Sequence, residues 1–221
     1  MANLKTKLPQ LEQKAIQAMM NPHFIFNVIN AIQHFINTGD KIAANKYLTD
    51  FAKLIRMSNR FSGRSMVLIE EEIAYLLLYL SFEKLRFGEN LSYEIIVDPN
   101  IDISETRIHV MMIQPFIENA IWHGILPLNA KGHLKLQIQR ESDTLLKIII
   151  EDDGVGIPES FINKNYLEPF QEAQKPCIAI QRLQLLAQSS GQKLYFHYKH
   201  LHPKRANKGT IAEFLLPVGV A

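Results

Sequence analysis

The 221-residue chain has very little of several things that define whole classes of protein. It holds one cysteine, Cys177, so no internal disulfide can form, and this fits a reducing compartment. Glycine and proline number ten each, which excludes a collagen-like or low-complexity chain. Charge is nearly balanced, 24 basic against 22 acidic residues, so nothing favours a general nucleic-acid binder. The longest apolar run, Ile73 to Leu80, lies between Glu70–Glu71–Glu72 and Glu83–Lys84 and falls far short of the roughly 20 residues that span a bilayer. Met1–Ala2–Asn3–Leu4–Lys5 opens no signal-peptide core, so a cytoplasmic location is expected. What remains is an ordinary globular composition, 47% hydrophobic and 21% charged, at a length that suits one large domain or two small ones.

The chain changes character near its middle. Up to about Arg86 the apolar residues recur at helical spacing, as in Phe24, Val28, Ile32, Phe35 and in Tyr47, Leu48, Phe51, Leu54, Ile55. Breaks fall at Asn37–Thr38–Gly39–Asp40 and Ser62–Gly63–Arg64, which predicts two helices in an antiparallel hairpin and a third from Glu70 to Phe87. A second apolar line, Ile25, Ile29, Ile32, Ile36, makes the first helix too broadly apolar for a hairpin to cover alone. Pairing with another copy into a four-helix bundle would cover it. His23, Asn27, Asn30 and His34 form a polar stripe beside it, and Asn21–Pro22 either caps this helix or kinks a longer one.

From Leu91 onward, strands are expected at Leu91–Val97, Leu134–Gln139, Leu145–Ile150, Lys193–Tyr198 and Ile211–Leu216. Helices are expected at about Arg107–His123 and Ala179–Gln188, which makes the second half an α+β sandwich with helices on one sheet face. The stretch 154–176 has little periodicity and the length of a functional loop.

Three segments carry possible chemistry. Asp152–Asp153–Gly154–Val155–Gly156 follows a strand directly. The glycines let backbone approach a flat or anionic ligand, and the carboxylate can accept a hydrogen bond from an exocyclic amine; a simple hairpin turn is the competing reading. Glu118 and Asn119 stand near the end of a helix with His123 one turn on, hard oxygen donors suited to Mg²⁺, or else polar residues in solvent with Gly124 as the helix cap. His23, on a polar helix face beside Pro22, is an imidazole that can act as a nucleophile near neutral pH. Gly209–Thr210 opens the last strand and by itself says little. His197, His200 and His202 with Lys199, Lys204 and Arg205 read as a solvated hairpin, Cys177 as a thiol without redox function, and Trp122 as packing against the sheet.

Taken together and in order, these segments resemble the LytS/YehU-type sensor histidine kinases, above all through Asn-Pro-His-Phe-Ile-Phe-Asn-x-Ile-Asn at 21–30. The Leu68–Ile69–Glu70–Glu71–Glu72 and Glu83–Lys84–Leu85–Arg86–Phe87 runs match in spacing, so the resemblance extends from about Leu11 to Pro217. It implies a dimerising phosphoacceptor hairpin over 1–65, followed by a Bergerat-type (GHKL) ATP-binding domain over 66–221. On that resemblance His23 would be autophosphorylated, and Asn119 would ligate Mg²⁺ with Glu118 beside it as a candidate base. His123, Asp152, Gly154, Gly156, Gly209 and Thr210 would line the ATP pocket, and 154–176 would form its lid. The implied cofactors are ATP and Mg²⁺. The implied partners are a second copy, a response regulator (in this family often of LytTR type) and an upstream sensor region or membrane partner, with no direct nucleic acid. Two departures stand out. Met19 replaces a usual glutamine, and Gln174 to Leu183 contains no glycine where a second glycine-rich box is expected. The second departure supports an alternative reading, a pseudokinase or phosphatase that acts as a dimeric scaffold.

Overall fold

The computed structural model describes residues 22–162, 164, 167 and 178–219, with only the backbone of Pro22 and His23. The chain starts with α1 (Pro22–Asn37) and α2 (Lys41–Phe61). Gly39, at φ 79°, makes the reversal between them possible, and the Asp40 carboxylate accepts the Ala43 N–H at 3.0 Å to cap α2. Phe35 stacks on Tyr47 at 5.3 Å and holds the two helices together. Asn21 and everything before it lie outside the described residues, so the structure leaves the choice between cap and kink where the sequence left it.

Strand β1 (Met66–Leu68) leads directly into α3 (Ile69–Phe87). The start of this helix is fixed by Glu71, which accepts the Leu68 N–H at 3.2 Å while pairing with Arg60 at 2.9 Å and Arg64 at 3.4 Å. Tyr75, Leu76, Tyr79, Leu80 and Phe82 of α3 are all buried, because one side of this helix meets α1 and α2 and another meets the rest of the fold. Among the described residues, no helix is long and apolar enough to cross a membrane.

The remaining elements are β2 (Leu91–Val97), β3 (Arg107–His109), α4 (Gln114–Asn119, continuing as a π-helical turn over Ala120–Ile125), β4 (Gly132–Arg140), β5 (Leu145–Asp152), α5 (Ile178–Ser190), β6 (Phe196–Lys199) and β7 (Thr210–Gly219). They form one mixed sheet in the order β1-β3-β7-β5-β4-β2, with β6 also on β7. Only β2 and β4 run parallel. The ten-residue β7 pairs with β5 along one edge and shares its other edge between β6 (at Ile211–Phe214) and β3 (at Val218–Gly219).

Alternation along the strands decides the layering. Leu134, Leu136 and Ile138 of β4 and Leu146, Ile148 and Ile150 of β5 are buried, whereas Lys135, Gln137, Lys147 and Glu151 between them are not. Phe116 of α4 packs on Phe214 at 4.7 Å and on Phe196 at 5.2 Å, and Ala179, Leu183 and Leu186 of α5 join the same core. The result is a two-layer α+β arrangement with its polar sheet face left open.

The expected helix from Arg107 to His123 is corrected in its first half. Arg107–His109 is a strand between β1 and the end of β7, and α4 starts only at Gln114, with Pro115 in its first turn. Val110, Met111, Met112 and Ile113 are wholly buried, so the run has no solvent face from which a helical period could be read. Met111 sits at φ 55°, in the left-handed region that interrupts a helix. Two buried charges grip this corner. Glu72 of α3 accepts the N–H groups of Met111 (2.9 Å) and Ile113 (3.3 Å), and Arg182 of α5 donates to the carbonyls of Met111 (3.0 Å) and Val110 (2.5 Å). Burial pushes the Glu72 carboxyl up to about 7, against those N–H donors and the nearby Arg182. Strand β6 is also shorter and later than expected, Phe196–Lys199, which places His200 and His202 in the loop beyond it.

Candidate functional site

Asp152 ends β5 directly opposite Thr210, the first residue of β7. Its carboxyl is 3% exposed, accepts the Gly154 N–H at 3.0 Å, and faces a cavity of about 390 Å³. Burial pushes it up to about 7, against the hydrogen bonds from Gly154 and Thr210. The walls around it are mostly apolar, including Phe116, Ile150, Ile157, Phe161, Tyr198 and Ala212. A mostly apolar cavity with one inward carboxylate suits a planar heteroaromatic ring that carries an amine, because the amine N–H can donate to that oxygen while the ring packs on the apolar walls. Adenine meets this requirement.

Backbone approaches close the back of this cavity. A Cβ on Gly154 would stand 2.2 Å from the Gly124 carbonyl carbon, and one on Gly124 would stand 2.5 Å from Asp152 Oδ1. One on Gly209 would meet the Asp152 carbonyl oxygen at 2.4 Å, at a φ of +59° that already favours glycine. The Val155 N–H donates to the Gly124 carbonyl and the Gly209 N–H to the Gly154 carbonyl, each at 3.0 Å. Three glycines from three distant stretches therefore fit around one aspartate. Gly124 is the residue that sequence reasoning missed: it entered only as a helix cap in the competing reading of the Glu118–Asn119 segment, yet the π-helical turn runs through it.

Asn119 and His123 form the opposite wall and belong to two cavities at once. A second cavity of about 280 Å³ is lined by these two residues together with Phe24, Tyr79, Glu118 and Trp122. Glu118 accepts from Gln114 Nε2 at 2.8 Å, and burial pushes its carboxyl up to about 7, with the negative Glu83 nearby adding to the rise. Tyr79 donates to Glu83 at 3.0 Å and receives the Trp122 indole N–H at 3.3 Å, while the Arg86 guanidinium lies 4.1 Å over the Trp122 ring. Trp122 thus packs on α3 through Tyr79 and Arg86.

Of the expected site residues, Asn119, His123, Asp152, Gly156 and Thr210 line the larger cavity together. Gly154 and Gly209 stand behind Asp152, and Glu118 opens onto the neighbouring cavity. The His23 side chain, Cys177 and the run 174–177 lie outside the described residues, as does most of the expected lid beyond Ile162. At the start of that stretch Glu159 pairs with His200 at 3.2 Å and with Lys208, which ties it to the loop between β6 and β7. No group of three His, Cys, Asp or Glu able to hold a metal occurs among the described residues. A single amide oxygen at Asn119 fits Mg²⁺ better than zinc, because Mg²⁺ keeps several waters and shares phosphate oxygens.

A family model described as histidine kinase matches residues 11–91, a span that runs past residue 65, through α1, α2 and α3. The sensor protein LytS of Oceanobacillus iheyensis is 27% identical over 97% of this chain and 36% of its own length. The sensor histidine kinase YpdA of Escherichia coli is 28% identical over 97% of this chain and 35% of its own. The uncharacterised protein YwpD of Bacillus subtilis is 32% identical over 74% of this chain and 58% of its own. The chain therefore spans about a third of the length of LytS and YpdA and more than half of YwpD. Among solved structures, the mycobacterial sensor histidine kinase MprB overlaps 71% of this chain at 16% identity, with a TM-score of 0.45. On the strength of the family match and the sensor proteins related along nearly its whole length, the chain belongs to the LytS-type sensor histidine kinases.

Proposed function

We propose that this chain is the kinase core of a two-component system, transferring the γ-phosphoryl group of ATP to His23 and then to an aspartate of a response regulator. One observation carries the reading: Asp152, Thr210, Asn119 and His123, from three separate stretches of sequence, line one mostly apolar cavity. In it Asp152 would accept the adenine amine, and the closely packed glycines would keep that carboxylate fixed. Mg²⁺ would be held by Asn119 and would neutralise charge on the phosphates. Phosphoryl transfer needs mainly positioning and charge stabilisation, so a pre-shaped cavity suffices without a covalent role for the protein beyond the acceptor. Glu118, whose carboxyl is poised near neutral pH, is the candidate base.

The dimeric state belongs to the same proposal. Phe26, Ile29 and Ile36 of α1 and Ile42 and Leu48 of α2 are exposed apolar residues, and a second copy completing a four-helix bundle would cover them. The division into an acceptor unit over 1–65 and an ATP-binding unit over 66–221, an upstream sensor region and a LytTR-type regulator are also part of this reading.

Incubation of the purified chain with Mg²⁺ and γ-labelled ATP tests it. Acid-labile, alkali-stable label that both His23→Ala and Asn119→Ala remove supports the kinase. Absence of label from a dimer that binds ATP weakly favours the scaffold reading suggested by the glycine-free run 174–183.

A further inference from the structure

Whether a kinase of this type phosphorylates its own chain or its partner's is decided by which His23 meets which nucleotide cavity. The start of α1 is seated on α3 of the same polypeptide. Phe24, the residue after His23, is 8% exposed, stacked on Tyr79 at 5.1 Å and edge-on to Phe82 at 6.2 Å. One turn further, Asn27, Val28 and Ala31 line a cleft with Phe82, Glu83 and Arg86. The α3 helix is in turn tied to α4 through the Trp122–Tyr79 hydrogen bond and the Arg86–Trp122 contact. Phe24 therefore shares a cavity with Glu118, Asn119 and His123, and the last two also line the cavity that Asp152 faces. Consecutive Cα atoms are about 3.8 Å apart, so the His23 backbone lies one residue from that shared wall.

We propose that the substrate of this site is the His23 of its own chain, with phosphoryl transfer running in cis. The proposal rests on the kinase reading above. In the step, a lone pair on an imidazole nitrogen forms the N–P bond. The bond from the γ-phosphorus to the bridging oxygen breaks, and ADP leaves with that electron pair. The proton on the other ring nitrogen goes to a base, and Glu118 is the carboxylate on this cavity.

Heterodimers purified through two different affinity tags decide the matter, with one chain enlarged so that label can be assigned by size. Wild type paired with the double variant His23→Ala/Asn119→Ala should label on the wild-type chain at about half the level of the wild-type dimer, because one of its two chains is intact. His23→Ala paired with Asn119→Ala should not label, because neither chain holds both an acceptor and a working site. Label in the second pair and none in the first would overturn the proposal, and so would absence of label from both when the wild-type dimer labels well. An unlabelled wild-type protein would instead bring down the kinase reading, and this inference with it. Should the chain purify as a monomer, labelling per chain should stay constant over a wide range of protein concentration; a proportional rise would overturn the proposal.

Discussion

On the sheet side of Asn119 the wall is backbone: Gly124, Gly154 and Gly209 close around Asp152 at distances that leave no room for a Cβ. On the α3 side it is aromatic and charged, with Tyr79, Trp122 and Phe24 around Glu118 and with Glu83 and Arg86 behind them. The first wall is rigid and intolerant, since the Gly154 and Gly209 approaches are to backbone atoms that cannot rotate away and the Gly124 approach is to a buried carboxylate held by the Gly154 N–H. The second is made of side chains with several contacts each, so its effects should be graded. The two walls of the candidate site should therefore fail in different ways, one by steric displacement and one by altered charge or ring packing.

Both walls hang on the corner at Val110–Ile113, so the largest effect should come from a change that spares neither. Arg182→Met leaves Glu72 and two carbonyls buried without their cation, and should cost about 3–5 kcal/mol in chemical denaturation. Adding Glu72→Gln should recover part of that loss, because the second buried charge then goes while an amide oxygen can still accept a buried N–H of the corner. The next effect is confined to the sheet side. Asp152→Asn should weaken ATP binding by about 1.5–3 kcal/mol, roughly 10–150-fold in Kd by calorimetry, with little change in Tm. Gly124→Ala should cost about 1–3 kcal/mol of stability through its clash with Asp152 and weaken ATP binding along with it.

The smallest effect sharpens the α3 side. Glu118 titrates near 7 in the folded chain, so if it removes the imidazole proton, the rate at saturating ATP should rise as pH increases through about 7 and the carboxylate forms. Glu118→Gln should lower the rate and remove that limb of the profile. Asp152 titrates in the same region, but its ionisation acts on ATP binding and so moves KM more than the saturated rate.

How much of this could be read from the residues differs between the walls for the same physical reason. The sheet side is partly local: a strand with clean alternation runs into Asp152, Gly154 and Gly156, and β7 opens on Gly209–Thr210, so strand pairing brings these together, whereas Gly124 comes from a distant stretch. The α3 side is assembled from positions 24, 79, 118 and 122, and no short window of sequence contains them. The strands β1 and β3 were missed because three residues carry no usable period and their pairing is set by the overhanging end of β7. Arg107–Ile113 was misread because full burial erases the contrast between faces on which a periodicity argument depends. Gly124 entered only as a possible cap because a glycine late in a helical pattern signals a stop far more often than a close approach.

The π-helical turn at Ala120–Ile125 has a consequence for how this site can be altered. An α-helix advances about 100° per residue, and a turn closed one residue later absorbs that advance as a shift in phase. Here the shift falls between Asn119 and the Gly124–Asp152 approach, and it lets one helix aim two successive turns at two walls of one cavity. Removing a single residue within this turn would leave the composition of the site almost intact and rotate everything after it. Gly124 would then swing off Asp152, and a bulkier neighbour would arrive in its place. In this segment residue count is as much a determinant of the site as residue identity.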